Sequence, residues 1–133
     1  MIDFIVVFFV TLVVFFLIDM LWLGIIAKSL YQKYLGEWLS KDVRWAAAFI
    51  FYGLFIVGVS FFVILPALER ESAFYALGVG ALFGLITYST YDLTNLATLK
   101  FWPIEITIID LIWGTFLGGF TSFISYFIVS SIL

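Results

Sequence analysis

The chain has 133 residues, of which 65% are hydrophobic and only 11% are charged, and its net charge is −3. A soluble domain of this length cannot bury so much apolar surface, so we predict an integral membrane protein of one domain. The negative net charge gives no basic patch for nucleic acid, and the lack of cysteine and histidine excludes disulfides, thiol nucleophiles and the usual zinc and haem ligands.

Four long apolar runs dominate the chain, and each exceeds the ~20 residues that a helix needs to cross a hydrocarbon core of ~30 Å. They cover residues 4–27, 45–65, 72–98 and 104–131. No basic residue precedes the first run and no small-residue cleavage signal follows it, so we predict a permanent helix and no signal peptide. The second run is predicted to end at Pro66. The predicted fold class is therefore an all-α, integral membrane four-helix bundle.

The segment between the first two runs has a helical pattern of its own. Apolar and aromatic residues recur at helical spacing, with charged residues between them. The stripe consists of Leu30, Tyr31, Tyr34, Leu35, Trp38 and Leu39. This pattern predicts a short amphipathic helix lying on the membrane surface. Three roles stay open for it: a plain connector, a lid over a site, or a contact for acidic lipid headgroups.

Small residues recur every four positions on the last two runs. They are Ala76, Gly80, Gly84, Gly114 and Gly118. This spacing is typical of closely packed transmembrane helices. Extended by whole turns, the stripes reach Tyr88 and Asp92 on the third run and Asp110 on the fourth. Both aspartates are therefore predicted to point into the bundle and away from lipid.

The distribution of lysine and arginine predicts the orientation of the bundle. The first and third connections carry five of the six basic residues, namely Lys28, Lys33, Lys41, Arg44 and Lys100. The second connection carries only Arg70. By the positive-inside rule, the first and third connections face the cytoplasm and both termini lie outside.

Three of the four runs carry one central aspartate each: Asp19, Asp92 and Asp110. With this orientation and ~1.5 Å per residue, all three lie roughly 10–14 Å inside the cytoplasmic boundary. Three carboxylates at one depth would repel one another, and no run holds a lysine or arginine. We therefore expect that at least one is protonated or that a cation lies among them. The alternative is a purely structural knot of neutral, hydrogen-bonded aspartic acids.

Tryptophans follow three of the aspartates at helical spacing. The pairs, each three residues apart, are Asp19–Trp22, Asp42–Trp45 and Asp110–Trp113. This spacing places carboxylate and indole on one helix face, where the N–H can donate to the carboxylate. Asp42 lies outside the apolar runs, where a helix cap is its expected role. The predicted substrate- or ion-binding residues are Asp19, Trp22, Tyr88, Tyr91, Asp92, Asn95, Asp110 and Trp113, and no metal or cofactor is predicted.

Five segments carry a resemblance to a known family. In chain order they read LIDMLWLG, WAAAFIFYGLF, ALFGLITYSTYDLTNLATLK, WP and IDLIWGT. Together they resemble small bacterial membrane proteins classed as domain-of-unknown-function family 2177, over nearly the whole chain, and the block from Tyr91 to Asn95 is specific. The resemblance implies four spans in a bacterial inner (plasma) membrane and points to the same polar and aromatic residues. It implies no activity.

Three functions are compatible with these patterns. The first hypothesis is a proton- or cation-linked transporter or binding protein that uses the intramembrane carboxylates. The second is an integral-membrane enzyme that acts on a lipid or isoprenoid, with Asp92 and Asp110 as acid and base. The third is a structural or assembly subunit of a membrane complex. The expected partners are the lipid bilayer, a small polar or cationic ligand or a lipid, and a second copy of the chain, because four spans make a narrow pathway.

Overall fold

The computed structural model describes residues 2–36, 39 and 44–133. These described residues form helices and no strand. The helical segments are α1 (Ile2–Leu21), a first π-helical turn (Trp22–Ile26), α2 (Ala27–Leu35), α3 (Trp45–Val59), a second π-helical turn (Ser60–Ile64), α4 (Leu65–Glu69), α5 (Ala73–Thr98) and α6 (Ile104–Ile132).

Within the described ranges, four continuous helical stretches are long and apolar enough to cross a membrane. They cover Asp3–Ile25, Trp45–Glu69, Ala73–Thr98 and Ile104–Ile132. Their lengths of 23, 25, 26 and 29 residues each exceed the ~20 that a hydrocarbon core of ~30 Å requires. The predicted fold, an all-α membrane bundle of four helices, is confirmed.

The second span continues past Pro66, where the sequence pattern predicted its end. The chain runs through the second π turn and then through α4 to Glu69. Proline removes one backbone donor and crowds the carbonyl four residues earlier, and the wider turn immediately before it accommodates both effects. The span is therefore longer at its C-terminal side than predicted.

The predicted short helix between the first two spans is α2, which follows the first span directly. The π turn at Trp22–Ile26 joins the two helices. Lys28 and Lys33 are exposed on α2, whereas Ala27 is buried, as expected of an amphipathic helix. The predicted stripe also included Trp38, which lies outside the described residues.

The most extensive contact between described helices joins α5 and α6, and glycines allow the approach. A methyl group at Gly84 would lie 2.9 Å from the carbonyl carbon of Gly114 and 3.2 Å from the Cα of Gly118. A methyl group at Gly80 would lie 2.6 Å from the Gly118 carbonyl oxygen. No side chain fits at these distances, so the predicted packing role of the small residues is confirmed.

The second span packs unevenly along its length. Around the second π turn, Val59, Val63 and Ile64 are fully buried in a region that contacts α1, α5 and α6. The first half of α3 exposes its large side chains instead, namely Trp45, Phe49, Ile50, Phe51 and Leu54. The bundle is therefore closed at the second π turn and more open where α3 begins.

Candidate functional site

Two buried aspartates on the tightly packed helices lie side by side. Asp92 of α5 is fully buried, Asp110 of α6 is 5% exposed, and their carboxyl groups interact with each other. They meet because the contact between Gly84 and Gly114 holds the two backbones close, within two turns of both residues. We call Asp92 and Asp110 the aspartate pair.

Asp92 lacks the hydrogen bonds that a buried carboxyl group normally makes. Among the described residues, neither of its oxygens has a partner at ordinary hydrogen-bond distance and angle, although Asp110 and Trp102 are close enough to interact with the carboxyl. Leaving a buried polar group without such a partner costs about 1–3 kcal/mol, and more for a charged group. The pair therefore gains stability from anything that supplies a proton or a positive charge.

A tyrosine on the short helix α2 reaches the aspartate pair. The Tyr31 hydroxyl donates a hydrogen bond to Asp110. Burial, and then this hydrogen bond, raise the pKa of Tyr31 above its ordinary value of 10.0, so the hydroxyl keeps its proton at neutral pH. Tyr31 was visible in the sequence only as one member of the amphipathic stripe, and no spacing linked it to Asp110.

The third intramembrane aspartate stands apart from the pair. Asp19 of α1 is 4% exposed, and its carboxyl interacts with Trp113 of α6 and Tyr52 of α3. Across the described ranges, no group of three or more acidic side chains is close enough together to hold a metal ion. The aspartates predicted at one depth therefore divide into a pair and a single carboxyl. Tyr52 was not predicted, because nothing in its apolar run distinguishes it from the phenylalanines around it.

Tyr88 connects the two acidic positions. This predicted site residue is in electrostatic range of Asp19, Asp110 and Tyr31. A methyl group at Gly114 would overlap the Tyr88 ring, at 2.6 Å from its Cδ1, so the glycine makes room for the ring. The small-residue stripe thus serves the site as well as the helix contact.

Two tryptophans stack on each other beside Asp19. The ring centroids of Trp22 and Trp113 are 4.4 Å apart and the rings are 10° from parallel. The spacing offered each indole the aspartate three residues before it as a possible partner. In the structure, Trp113 interacts with Asp19 across the helix interface, and Trp22 interacts with Tyr31. A spacing of three puts two side chains on one face, but a long indole on that face also reaches the neighbouring helix. The third predicted pair involves Asp42, which lies outside the described residues.

Tyr91 and Asn95 occupy the outer side of α5. Tyr91 is 57% exposed, its ring stands edge-on to Trp102 at a centroid distance of 5.8 Å, and its side chain interacts with that of Asn95. Tyr91 remains in electrostatic range of Asp92. The structure therefore places Tyr91 at the rim of the site, with the half-buried Asn95 beside it.

A cavity of about 180 Å³ adjoins Asp19, and we call it the Asp19 cavity. Its polar lining consists of Asp19, Tyr31, Tyr52 and Tyr88, and the stacked tryptophans form another part of the wall. The volume is far above the roughly 10–15 Å³ that one water molecule requires. The site thus combines an acidic, hydroxyl-rich cavity with the aspartate pair. Tyr31 and Tyr88 both line the cavity; Tyr31 also donates to Asp110, and Tyr88 is in electrostatic range of Asp110.

Comparison with known proteins gives a match over nearly the whole chain. Residues 4–127 match the model of a family described as predicted membrane protein, DUF2177. No curated protein and no solved structure matches the chain. The matched range includes the aspartate pair, Tyr31 and the residues that line the Asp19 cavity.

Proposed function

Since this chain belongs to the DUF2177 family of predicted membrane proteins, a description that assigns no activity, we propose its function from the geometry of the site. The protein acts as a proton- or cation-linked transporter or binding protein. The observation that carries this proposal is the aspartate pair: two interacting, buried carboxyl groups in a set of described spans without lysine or arginine.

The pair is suited to holding one positive charge reversibly. Two carboxylates that interact inside a low-dielectric bundle repel each other strongly, so a proton or a cation must neutralise one of them. A proton and a cation then compete for the same position. Such competition is the requirement for coupling the movement of one to the movement of the other.

Tyr31 links the occupancy of the pair to the surface helix. A hydroxyl donates more strongly to an ionised carboxylate than to a neutral one, so its bond to Asp110 weakens when Asp110 takes up a proton. When Asp110 is ionised, the hydrogen bond holds α2 at the pair. When Asp110 is protonated, α2 is released. Among the roles considered for α2, this contact favours a lid over the site.

We propose that the protein lies in the bacterial plasma membrane with α2 on the cytoplasmic side and both termini outside. Five of the six basic residues lie in the first and third connections, which supports this orientation. A pathway within four helices is narrow, so the functional unit is proposed to be a homodimer.

Thermal melts of the purified protein from pH 5 to 8, with and without added Na⁺, K⁺ or methylammonium, test this function. The wild-type free energy of unfolding should change by up to about 1.4 kcal/mol per pH unit for each proton exchanged, and a bound cation should shift that dependence. Asp92→Asn and Asp110→Asn keep the shape of the side chain but cannot ionise, so they should fold and lose both effects.

Asp3→Asn, at an exposed carboxylate near the start of α1, is the matched control and should behave like wild type. If Asp92→Asn and Asp110→Asn retain the wild-type response to pH and cations, the pair is not the binding site.

An enzyme acting on a lipid or isoprenoid is the second candidate, and an asymmetry within the pair favours it. Asp110 accepts a hydrogen bond from Tyr31, whereas Asp92 accepts none of ordinary geometry within the described ranges. Two carboxyl groups in different surroundings can serve as acid and base. Conversion of a labelled membrane-lipid extract by the reconstituted protein, lost in Asp92→Asn, would favour this candidate over transport.

A further inference from the structure

The walls of the Asp19 cavity are largely aromatic. Besides the three tyrosines and the stacked tryptophans, Phe51 lines it, and Asp19 supplies the one carboxylate. Aromatic faces attract an organic cation through their ring quadrupoles, and a carboxylate adds Coulomb attraction. A small hydrated metal ion needs several oxygen ligands instead. The lining therefore suits an organic cation better than a metal ion.

Buried polar groups in the same wall point to a ligand. Trp113 is 9% exposed, and its indole N–H has no hydrogen-bond partner of ordinary geometry among the described residues, although Asp19 interacts with the side chain. The volume of about 180 Å³ admits a polyatomic group and not only a single ion or water. The cavity thus combines a carboxylate, an aromatic lining and an indole N–H whose contact with Asp19 lacks ordinary hydrogen-bond geometry.

An apolar groove adjoins the cavity between α3 and α5. It measures about 310 Å³ and is lined by Phe51, Thr87, Tyr88 and Tyr91, so Phe51 and Tyr88 belong to both spaces. The first half of α3, which forms one side of the groove, exposes large apolar side chains within a helix that is long and apolar enough to cross a membrane. A ligand with its head in the cavity can therefore extend an apolar chain toward the bilayer.

We propose that the Asp19 cavity binds the head of an organic ammonium cation and that the groove between α3 and α5 holds its hydrocarbon chain. The ligand then enters sideways from the membrane. This inference rests on the proposed function and names the class of cation, a quaternary or alkylated amine. Tyr31 and Tyr88 lie within reach of both the cavity and the aspartate pair, so a bound positive charge acts on the pair.

Calorimetric titration of the protein in lipid nanodiscs tests the need for charge. Choline and its uncharged isostere 3,3-dimethylbutan-1-ol have nearly the same shape. We expect choline to bind about tenfold more tightly or better, because only the cation is attracted by the rings and by Asp19. Equal binding of the two compounds overturns the proposal.

Two variants test the head site. Asp19→Asn removes the counter-charge and Trp22→Leu removes one ring of the stack, and each should weaken choline binding by about tenfold. Trp45→Leu is the matched control, since Trp45 is 62% exposed on α3, and it should bind like wild type. If Trp22→Leu does not fold by circular dichroism, Trp22→Phe replaces it and should show a smaller loss. Unchanged choline binding in the folded Asp19 and Trp22 variants contradicts the proposal.

Hexyltrimethylammonium and tetramethylammonium test whether the groove between α3 and α5 holds the hydrocarbon chain of the ligand. The hexyl compound should bind about tenfold more tightly or better, because its chain leaves water for the groove. Thr87→Phe fills the groove and should remove this advantage while leaving tetramethylammonium binding intact. Equal affinity of the wild type for the two compounds overturns the assignment of the groove. So does a tighter binding of the hexyl compound that persists in Thr87→Phe.

These results separate the inference from the proposed function. If Asp92→Asn and Asp110→Asn abolish the response to pH and inorganic cations while no ammonium compound binds the wild type, the proposed function stands and the inference is overturned. If the ammonium compounds bind as expected while the melts show no response to pH, the inference stands and the proton linkage fails.

Discussion

At the scale of single residues, Asp92 is fully buried and accepts no hydrogen bond of ordinary geometry from the part of the chain that the structure describes. Its inward direction could be predicted from the small-residue stripe on its own helix. Tyr31 could not be predicted as its neighbour at the site, because Tyr31 and Asp110 are 79 positions apart in the chain. Their contact depends on where α2 lies relative to α6, which no local pattern contains.

Replacing Tyr31 by phenylalanine should loosen α2 from the aspartate pair. The change removes the hydroxyl that donates to Asp110 and keeps the ring, so we expect a loss of about 1–3 kcal/mol in the free energy of unfolding. Tyr34→Phe is the control on the same helix, where the ring lies beside Lys33, and should change stability by less than about 0.5 kcal/mol. Chemical denaturation of the three proteins measures the difference, and equal stability of Tyr31→Phe and wild type would refute the contribution of this bond.

Alkaline pH gives the Tyr31→Phe variant a second readout. An unfolded tyrosine titrates near pH 10, whereas in the folded protein burial and Asp110 raise the pKa of Tyr31. A raised folded-state pKa contributes stability that is complete below the unfolded value and is lost as the pH rises above it. Melts from pH 7 to 11 should show a smaller alkaline loss in Tyr31→Phe than in wild type, and an equal loss would count against the buried position of this hydroxyl.

At the scale of elements, the contact between α5 and α6 and the first π turn position the site. The glycine contact brings Asp92 and Asp110 together, and its spacing of four residues was readable in the sequence because it is a property of one helix at a time. The π turn at Trp22–Ile26 follows Asp19 and begins at the tryptophan that stacks on Trp113. It was not predicted, because a wider turn inside an apolar run has no compositional signature.

Leucine at Gly84 should disrupt the bundle, whereas leucine at Gly78 should be tolerated. Both glycines lie on α5, but a methyl group at Gly84 would already meet the backbone of Gly114, while one at Gly78 meets nothing within 4 Å. We expect Gly84→Leu to lose about 3 kcal/mol or more, or to misassemble, because the overlap is with backbone. Thermal melts and size-exclusion chromatography of the two variants test this, and indistinguishable behaviour would mean that the stripe does not face α6.

At the scale of the whole molecule, the bundle is closed at the second π turn and more open where α3 begins. The open end is the one that carries α2. The polar site lies at this more open end: Asp19 interacts with Tyr52 of α3, and Tyr31 comes from α2 itself. We propose that this end faces the cytoplasm, because basic residues lie around α2 and before α6 and such residues are enriched in cytoplasmic loops.

Single cysteines can determine this direction, because the chain has none of its own. Gln32→Cys lies on an exposed position of α2 and Ser131→Cys on an exposed position near the end of α6. An impermeant thiol reagent applied to intact cells should label Ser131→Cys and leave Gln32→Cys unlabelled until the cells are opened. The reverse pattern would place α2 outside and overturn the proposed orientation.

The sequence by itself determined the membrane class, the four helices and the inward faces of Asp92 and Asp110. Burial of apolar residues and the length needed to cross a bilayer act on each run separately, so these properties can be read one helix at a time. Only the tertiary structure decided that Asp92 meets Asp110 while Asp19 meets Tyr52 and Trp113. Depth follows from counting residues along one helix, but a contact requires the rotation and tilt of two helices, and these are set jointly by all the side chains that pack between them.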